Sequence, residues 1–296
     1  MPRLPRPSFQ TKALRRLLPP CGYDLQGARA EWRWLRQWAE ASVKPSLVRP
    51  TLERALLERI RLRKPLQYIL GTQPFGDLDI LTRPPTLIPR WETEEWVLRL
   101  AKLLCSATTS PLDTPSLRIL DLCTGTGCVS LGLAAHGPPE KMEIWGVDLV
   151  DSAVALAKDN AQKSLSLLQG NSVHFQLGDL NDPSTLPPGP FDLIVSNPPY
   201  ITLEDWSGLE PEVRVWENPR ALVADRAGLQ CHQAIISLAT LPHYLSPSKL
   251  SSLPRLVMEC GEGQGEAIQA TLSSMNLTHN EIWRDLAGKD RVVVAY

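Results

Sequence analysis

Apolar positions recur at helical spacing near the start of the chain. Trp34, Leu35 and Trp38 form one stretch, and Leu52, Ala55, Leu56 and Ile60 form a second after Pro50 and Thr51. The pattern predicts a small helical domain over 25–65. Glu53, Arg54, Glu58, Arg59, Arg61, Arg63 and Lys64 fall mostly off the apolar stripe and are expected on a solvated face. Residues 66–90 hold short β-like runs broken by Gly71, Gly76, Pro84 and Pro85, which predicts a hairpin-like connector. A helix is expected over 92–104. The Ser-, Thr- and Pro-rich stretch 106–116 reads as a flexible join.

From Leu117 onward, strand-like apolar runs alternate with helix-length segments. LRILDL (117–122), EIWGVDL (143–149), VHFQLGD (173–179), FDLIVSN (191–197), RLVMECG (255–261) and RVVVA (291–295) are the predicted strands. Helices are expected near 128–136, 151–168, 228–240 and 263–275. Such alternation predicts an α/β domain, a mainly parallel sheet with helices on both faces, running from about residue 91 to the end. Ligands of these sheets bind at the carboxyl ends of the strands, near the point where strand order reverses. There is no internal repeat.

Composition narrows the class. The 296 residues are 43% hydrophobic and 21% charged, enough for sizeable cores in two modest domains. Thirty-one basic against 32 acidic residues leave a net charge of −1, so nothing draws the whole chain to nucleic acid or an anionic membrane. No apolar run approaches the roughly 18 residues of a membrane helix. The six cysteines, Cys21, Cys105, Cys123, Cys128, Cys231 and Cys260, form neither CxxC pairs nor metal-ligand spacing, and are expected as reduced thiols of an intracellular protein. The histidines show no HxxxH or HExxH spacing, and no metal is implied. Arg3, Arg6, Lys12, Arg15 and Arg16 precede the first acid, Asp24, among Ser, Thr, Leu and Phe. Residues 1–24 therefore suit a mitochondrial transit peptide or, given Pro2, Pro5 and Pro7, a disordered basic tail; without such an address the protein would be cytoplasmic.

Three constellations carry chemistry. Asp121-Leu-Cys-Thr-Gly-Thr-Gly-Cys128 follows a strand and opens a helix; glycine there permits a sharp turn and close approach of a ligand to backbone N–H groups. Packing alone can also produce such a turn. Asp148 ends the next strand, about 20 residues on, where a carboxylate can accept both ribose hydroxyl hydrogens, or simply cap the following helix. Asp179 ends the third strand, either near an adenine edge or as a turn residue. The sharpest signal is Asn197-Pro198-Pro199-Tyr200 after the fourth strand. Two prolines remove two N–H donors and stiffen the backbone. The Asn197 side-chain oxygen and Pro198 carbonyl can then each accept one hydrogen of a planar NH2 group, with Tyr200 as an aromatic wall.

Together these motifs resemble S-adenosylmethionine-dependent methyltransferases of planar nitrogens, and within them the HemK/PrmC family of release factor glutamine methyltransferases. Supporting stretches are Pro65-Leu-Gln-Tyr-Ile-Leu-Gly71 with Phe75-Gly76, Leu87-Ile-Pro-Arg-Trp-Glu-Thr-Glu94, Leu209-Glu-Pro-Glu-Val213 leading to Pro219-Arg-Ala-Leu222, and Asp285-Leu-Ala-Gly-Lys-Asp-Arg-Val292. The resemblance runs from about residue 25 to the end. It implies a seven-stranded Rossmann-like class I methyltransferase domain and a helical N-terminal domain that helps hold the release factor. It assigns Cys123, Thr124, Gly125, Thr126 and Gly127 to the cofactor turn, Asp148 to the ribose, Asp179 and Leu180 to the adenine, and Asn197, Pro198, Pro199 and Tyr200 to the glutamine of a Gly-Gly-Gln loop. Asn197 would also border the cofactor. Departures are Trp91 for a proline, Cys128 for a small residue, Asn218 for a glutamate, and a missing Gly-Gly near Ala224 to Arg226.

The expected activity is methyl transfer to the glutamine amide nitrogen by a monomer acting without a membrane or direct nucleic-acid contact. Two other readings stand beside it. One is an adenine-N6 methyltransferase of RNA or DNA using the same cup on a flipped base, supported by the basic run Arg59 to Lys64. The other is a binding protein of the same fold without turnover.

Overall fold

The computed structural model describes residues 8–107, 116–246 and 253–296. The chain divides into two units, Met1–Thr72 with Glu210–Trp216, and Gln73–Leu209 with Glu217–Tyr296.

The first unit is helical. In α1 (Phe9–Leu17) the Ser8 hydroxyl accepts the N–H of Thr11, and α2 (Leu25–Ser42) starts where the Asp24 carboxylate accepts the N–H groups of Gln26 and Gly27. Ala28, Trp32, Leu35 and Ala39 bury one stripe of α2. Pro45 opens α3 (Pro45–Arg61), where its missing N–H costs nothing, and a short α4 (Leu66–Leu70) follows. Their apolar faces share one core.

Two expectations fail in this unit. A disordered basic tail over 1–24 does not hold from Ser8 on, while a transit peptide over the same residues is compatible with a helix there; residues 1–7 lie outside the described residues. From Ser8 the chain is ordered, because the three prolines all precede the cap while Phe9, Ala13 and Leu17 recur every four residues. Ala13 and Leu17 are buried, and the Phe9 ring meets Trp32 edge-on at 5.7 Å. The second failure is Arg59, expected in solvent but only 5% exposed. It donates from Nε and Nη2 to the two oxygens of Glu31 (2.9 and 2.8 Å) and from Nη1 to Glu212 Oε1 (2.6 Å). Arg63 grips the same Glu212 with two hydrogen bonds of 2.7 Å, and Lys64 pairs with Glu58 at 2.8 Å. The periodicity contained the reason. Arg59 stands seven residues after Leu52 and four after Ala55, on the buried stripe itself.

The second unit begins with a hairpin of β1 (Thr72–Phe75) and β2 (Leu78–Leu81), followed by α5 (Trp91–Ala107). Then come β3 (Leu117–Leu122), α6 (Cys128–His136), β4 (Met142–Asp148), α7 (Asp151–Ser164), β5 (Ser172–Leu177), β6 (Leu193–Ser196) and α8 (Leu203–Gly208). A short α9 (Pro211–Arg214) lies in the segment that folds with the first unit. The chain closes with α10 (Gln230–Ala239), β7 (Leu256–Glu259), α11 (Gly265–Ser274), β8 (Asn280–Arg284) and β9 (Asp290–Ala295). The flexible join expected over 106–116 lies outside the described residues except for Ser106, Ala107 and Ser116.

The seven-stranded sheet has the order β5-β4-β3-β6-β7-β9-β8, parallel except for β9, which runs antiparallel to both neighbours. Period-two alternation sorts side chains between its faces. Ile119, Ile144, Val292 and Val294 join α5 and α6 in one core; Leu120, Val147, Val293 and Ala295 join α10 and α11 in the other. β8 has no counterpart among the six strands read from the sequence. Only Trp283 of its residues is buried, so this edge strand carries no apolar run. Strand order reverses at β3, flanked by β4 on one side and β6 on the other, so the loops after these three strands open on one crevice. No helix among the described residues is long and apolar enough to cross a membrane.

Candidate active site

A cleft lies at that crevice. Cys123 and Gly125 line it from the loop after β3, Asp148 and Leu149 after β4, Asp179 and Leu180 after β5, and Asn197 and Pro199 after β6. Pro85 to Leu87, Asn218, Arg220, Ala221 and Cys231 complete the wall. Of the residues singled out in the sequence, Thr124, Thr126, Gly127, Pro198 and Tyr200 stand behind this lining.

The hidden members build the turn. Cys123, Gly125 and Gly127 all have positive φ (61°, 55° and 81°). A Cβ on Gly127 would sit 2.8 Å from the Phe175 ring, so both space and backbone demand glycine there. Cys123 carries a side chain in the same left-handed region. Buried Thr124 donates from Oγ1 to Asp121 Oδ2 at 2.6 Å, and Ser130 adds its hydroxyl (2.6 Å) and N–H (3.2 Å) to the same oxygen. Burial pushes the Asp121 carboxyl up to about 6, against these hydrogen bonds, and its Oδ1 is buried without a partner. Asp148 accepts the N–H of Gly125 on Oδ2 (2.8 Å) and that of Val150 on Oδ1 (2.9 Å). Burial raises its pKa, these bonds opposing. A carboxylate has about four acceptor positions, so these bonds leave Asp148 some acceptor capacity for a ligand.

At the end of β6 the Ser196 hydroxyl donates to the Leu122 carbonyl at 2.6 Å, tying the strand to β3. Asn197 then turns its Nδ2 to Thr93 Oγ1 at 3.0 Å. Thr93 donates to Glu259 Oε2 at 2.7 Å, the same oxygen that accepts the Trp96 indole N–H at 2.8 Å, and Glu259 Oε1 accepts the Tyr200 hydroxyl at 3.2 Å. Burial raises the pKa of Glu259, and that of Tyr200 rises through burial and the neighbouring Glu259. The backbone after the cup is pinned as well. Tyr200 and Ile201 donate to the Leu222 carbonyl, and Gln264 Nε2 donates to the Tyr200 carbonyl at 2.9 Å. Thr93, Trp96 and Glu259 were missed in the sequence, although a glutamate closing the apolar run of β7 was a visible irregularity.

The remaining motifs brace this frame. Arg90 Nη2 meets both oxygens of buried Glu217 at 2.6 Å. Asn218, where glutamate was expected, accepts the Arg220 N–H at 3.0 Å and donates its own N–H to the Pro85 carbonyl at 2.7 Å, holding two cleft walls together. Asp285 folds the turn before β9 by accepting the N–H groups of Ala287 and Lys289 and the Arg291 guanidinium. Trp91, at the start of α5, is 53% exposed, and nothing in the structure explains its choice. Where Gly-Gly was expected, Arg226 and Ala227 both have φ 56°. A left-handed non-glycine residue costs roughly 1–2 kcal/mol. Ala227→Gly is therefore expected to gain about 1 kcal/mol net of unfolded-state entropy, read as a higher denaturant midpoint at unchanged slope.

The methyltransferase domain family matches residues 119–216. A release factor glutamine methyltransferase of Geobacter sulfurreducens is 37% identical over 234 residues, 78% of this chain and 72% of its own. The enzyme of that name from Thermosynechococcus vestitus is 34% identical over 283 residues, 95% of this chain and 84% of its own. The mitochondrial MRF1 N(5)-glutamine methyltransferase MTQ1 of Saccharomyces cerevisiae is 34% identical over 226 residues, 75% of this chain and 65% of its own. With relatives this similar over most of their length, the chain belongs to the release factor glutamine methyltransferase family.

Proposed function

We propose that this protein transfers the methyl group of S-adenosylmethionine to the side-chain amide nitrogen of the glutamine in a Gly-Gly-Gln loop of a mitochondrial peptide-chain release factor, in the service of translation termination. The observation that carries the reading is Asn197. It borders the cleft, and with its NH2 held by Thr93 its carbonyl oxygen is left to accept an N–H from outside.

The cleft fits the methyl donor. Asp148 has acceptor capacity for ribose hydroxyls, Leu149 lies 55% exposed at the wall beside Leu180 as an apolar bed for adenine, and the unpartnered Asp121 Oδ1 is a buried acceptor behind the turn. When bound, the donor supplies an electrophilic sulfonium methyl. The protein's own task is the nucleophile. A carboxamide nitrogen is weak because its lone pair is delocalised into the carbonyl. Acceptors for its N–H hydrogens at Asn197 and Pro198 favour the more pyramidal nitrogen and stabilise the positive charge that develops on it. No strong general base is needed, because the methylated nitrogen is a strong acid. Holding the partners in line can supply about 7–11 kcal/mol of the rate in well-aligned cases.

The name of the yeast relative supports a mitochondrial partner, as do the basic residues of the N-terminus. Against the adenine reading, Arg59, Arg63 and Lys64, which supported it in the sequence, are engaged by carboxylates of their own unit. Incubation with labelled donor and either a mitochondrial release factor or RNA tests the proposal. Label on the glutamine supports it, and label on adenine alone overturns it. Asp148→Ala is expected to weaken donor binding by about 10- to 150-fold, the worth of roughly 1.5–3 kcal/mol of hydrogen bonding to a charged acceptor. Calorimetry showing unchanged affinity would remove the ribose assignment.

A further inference from the structure

Building on Asn197 as the acceptor for the glutamine amide, we infer that Thr93 and Glu259 form a hydrogen-bond relay that dictates which end of the Asn197 amide faces the substrate, making both positioning residues for methyl transfer. The relay starts from a group with no choice. The Trp96 indole N–H can only donate, so Glu259 Oε2, 2.8 Å away, must accept. Thr93 has one hydroxyl hydrogen. At 2.7 Å from that obligate acceptor, it is directed to Glu259. Towards Asn197, Thr93 then offers lone pairs alone, and the 3.0 Å contact can be made only by the Asn197 NH2. Reversing the Asn197 amide would set two oxygens against each other with no hydrogen between them.

Burial makes this direction binding. Thr93 and Glu259 are each 1% exposed, so water is not at hand to reverse a donor. Protonation of Glu259 leaves the relay intact. Trp96 and Thr93 keep Oε2 an acceptor, and the proton goes to Oε1, where the Tyr200 hydroxyl at 3.2 Å can accept it. An amide has nearly the same shape in either orientation. Without the relay, Asn197 could present a donor to a substrate that itself needs acceptors.

The test compares Thr93→Val, which keeps the shape and removes the hydroxyl, with Thr93→Ser, which restores it. Turnover on the protein substrate, donor affinity by calorimetry and melting temperature are measured for each. Thr93→Val is expected to lower kcat by about tenfold or more with donor affinity within about twofold, and Thr93→Ser to recover most of the loss. Turnover of Thr93→Val within about twofold of wild type, or a Thr93→Ser variant as slow as Thr93→Val, overturns the relay. Should Thr93→Val not fold, Glu259→Gln combined with Trp96→Phe carries the same question. Removing the Trp96 donor lets the new amide turn its NH2 towards Thr93 and free the hydroxyl to reverse. The double variant is then expected to lose about tenfold more than the product of the two single losses, and multiplicative losses overturn the inference. A wild-type protein that leaves glutamine unmethylated defeats the proposed function itself; a failure confined to these variants defeats only the relay.

Discussion

Asn197→Ala is expected to lower kcat for glutamine methylation by about 10²–10³-fold, equivalent to roughly 2.7–4 kcal/mol of transition-state stabilisation, the range for losing one preorganised polar group at a reacting centre. The loss should appear in kcat because the acceptor matters most as charge develops on nitrogen; in the ground-state amide the N–H groups are only weakly polarised. Binding of the methyl donor should largely survive, since the turn after β3 and Asp148 are fixed independently of Asn197, through Asp121, Gly125 and Val150. The truncated site leaves Thr93 still bonded to Glu259, so the frame of α5 and β7 is not expected to collapse. Single-turnover rates with labelled donor separate the two quantities. A rate close to wild type, at saturating donor and protein substrate, would show that the cup does not act through this side chain.

The sheet and the cup were legible because each is local in sequence. Five of the predicted strands announced themselves as largely apolar runs and β5 as an alternation of Val173, Phe175 and Leu177, and the Asn-Pro-Pro-Tyr segment is four consecutive residues whose constraints follow from proline chemistry. β8 failed that test, since a strand at the sheet edge that buries one tryptophan has little apolar pattern to show. The partners of Asn197 were invisible for a different reason. Thr93 lies 104 residues before Asn197, and Glu259 lies 166 residues after Thr93. No periodicity links such positions, and only the fold brings α5 and β7 to the same point. The turn after β3 shows a middle case. Its glycines were readable, whereas the strain on Cys123 becomes apparent only with a φ of 61°.

Arg59→Met is expected to destabilise the helical unit by about 3–5 kcal/mol, because removing one partner of a buried ion pair leaves uncompensated charge. Glu31, 13% exposed, would lose its arginine, while Glu212, 15% exposed, would keep Arg63. Burial pushes the Glu212 carboxyl up, but Arg63 and Arg59 outweigh it and hold the pKa below the ordinary value. The loss is large because Arg59 joins three pieces of chain: α2 through Glu31, the Pro20 carbonyl at 3.2 Å, and the segment Glu210–Trp216 through Glu212. Amide hydrogen exchange in α2, α3 and residues 212–216 should quicken, while the strands of the sheet keep their protection. If the cost is the stranded charge and not the lost shape, adding Glu31→Gln to Arg59→Met should return part of the stability, a non-additivity expected only of groups in one network. Protection unchanged in the single variant would show that Arg59 does not hold this unit together, and a double variant less stable than the single would show that its packing and not its charge does.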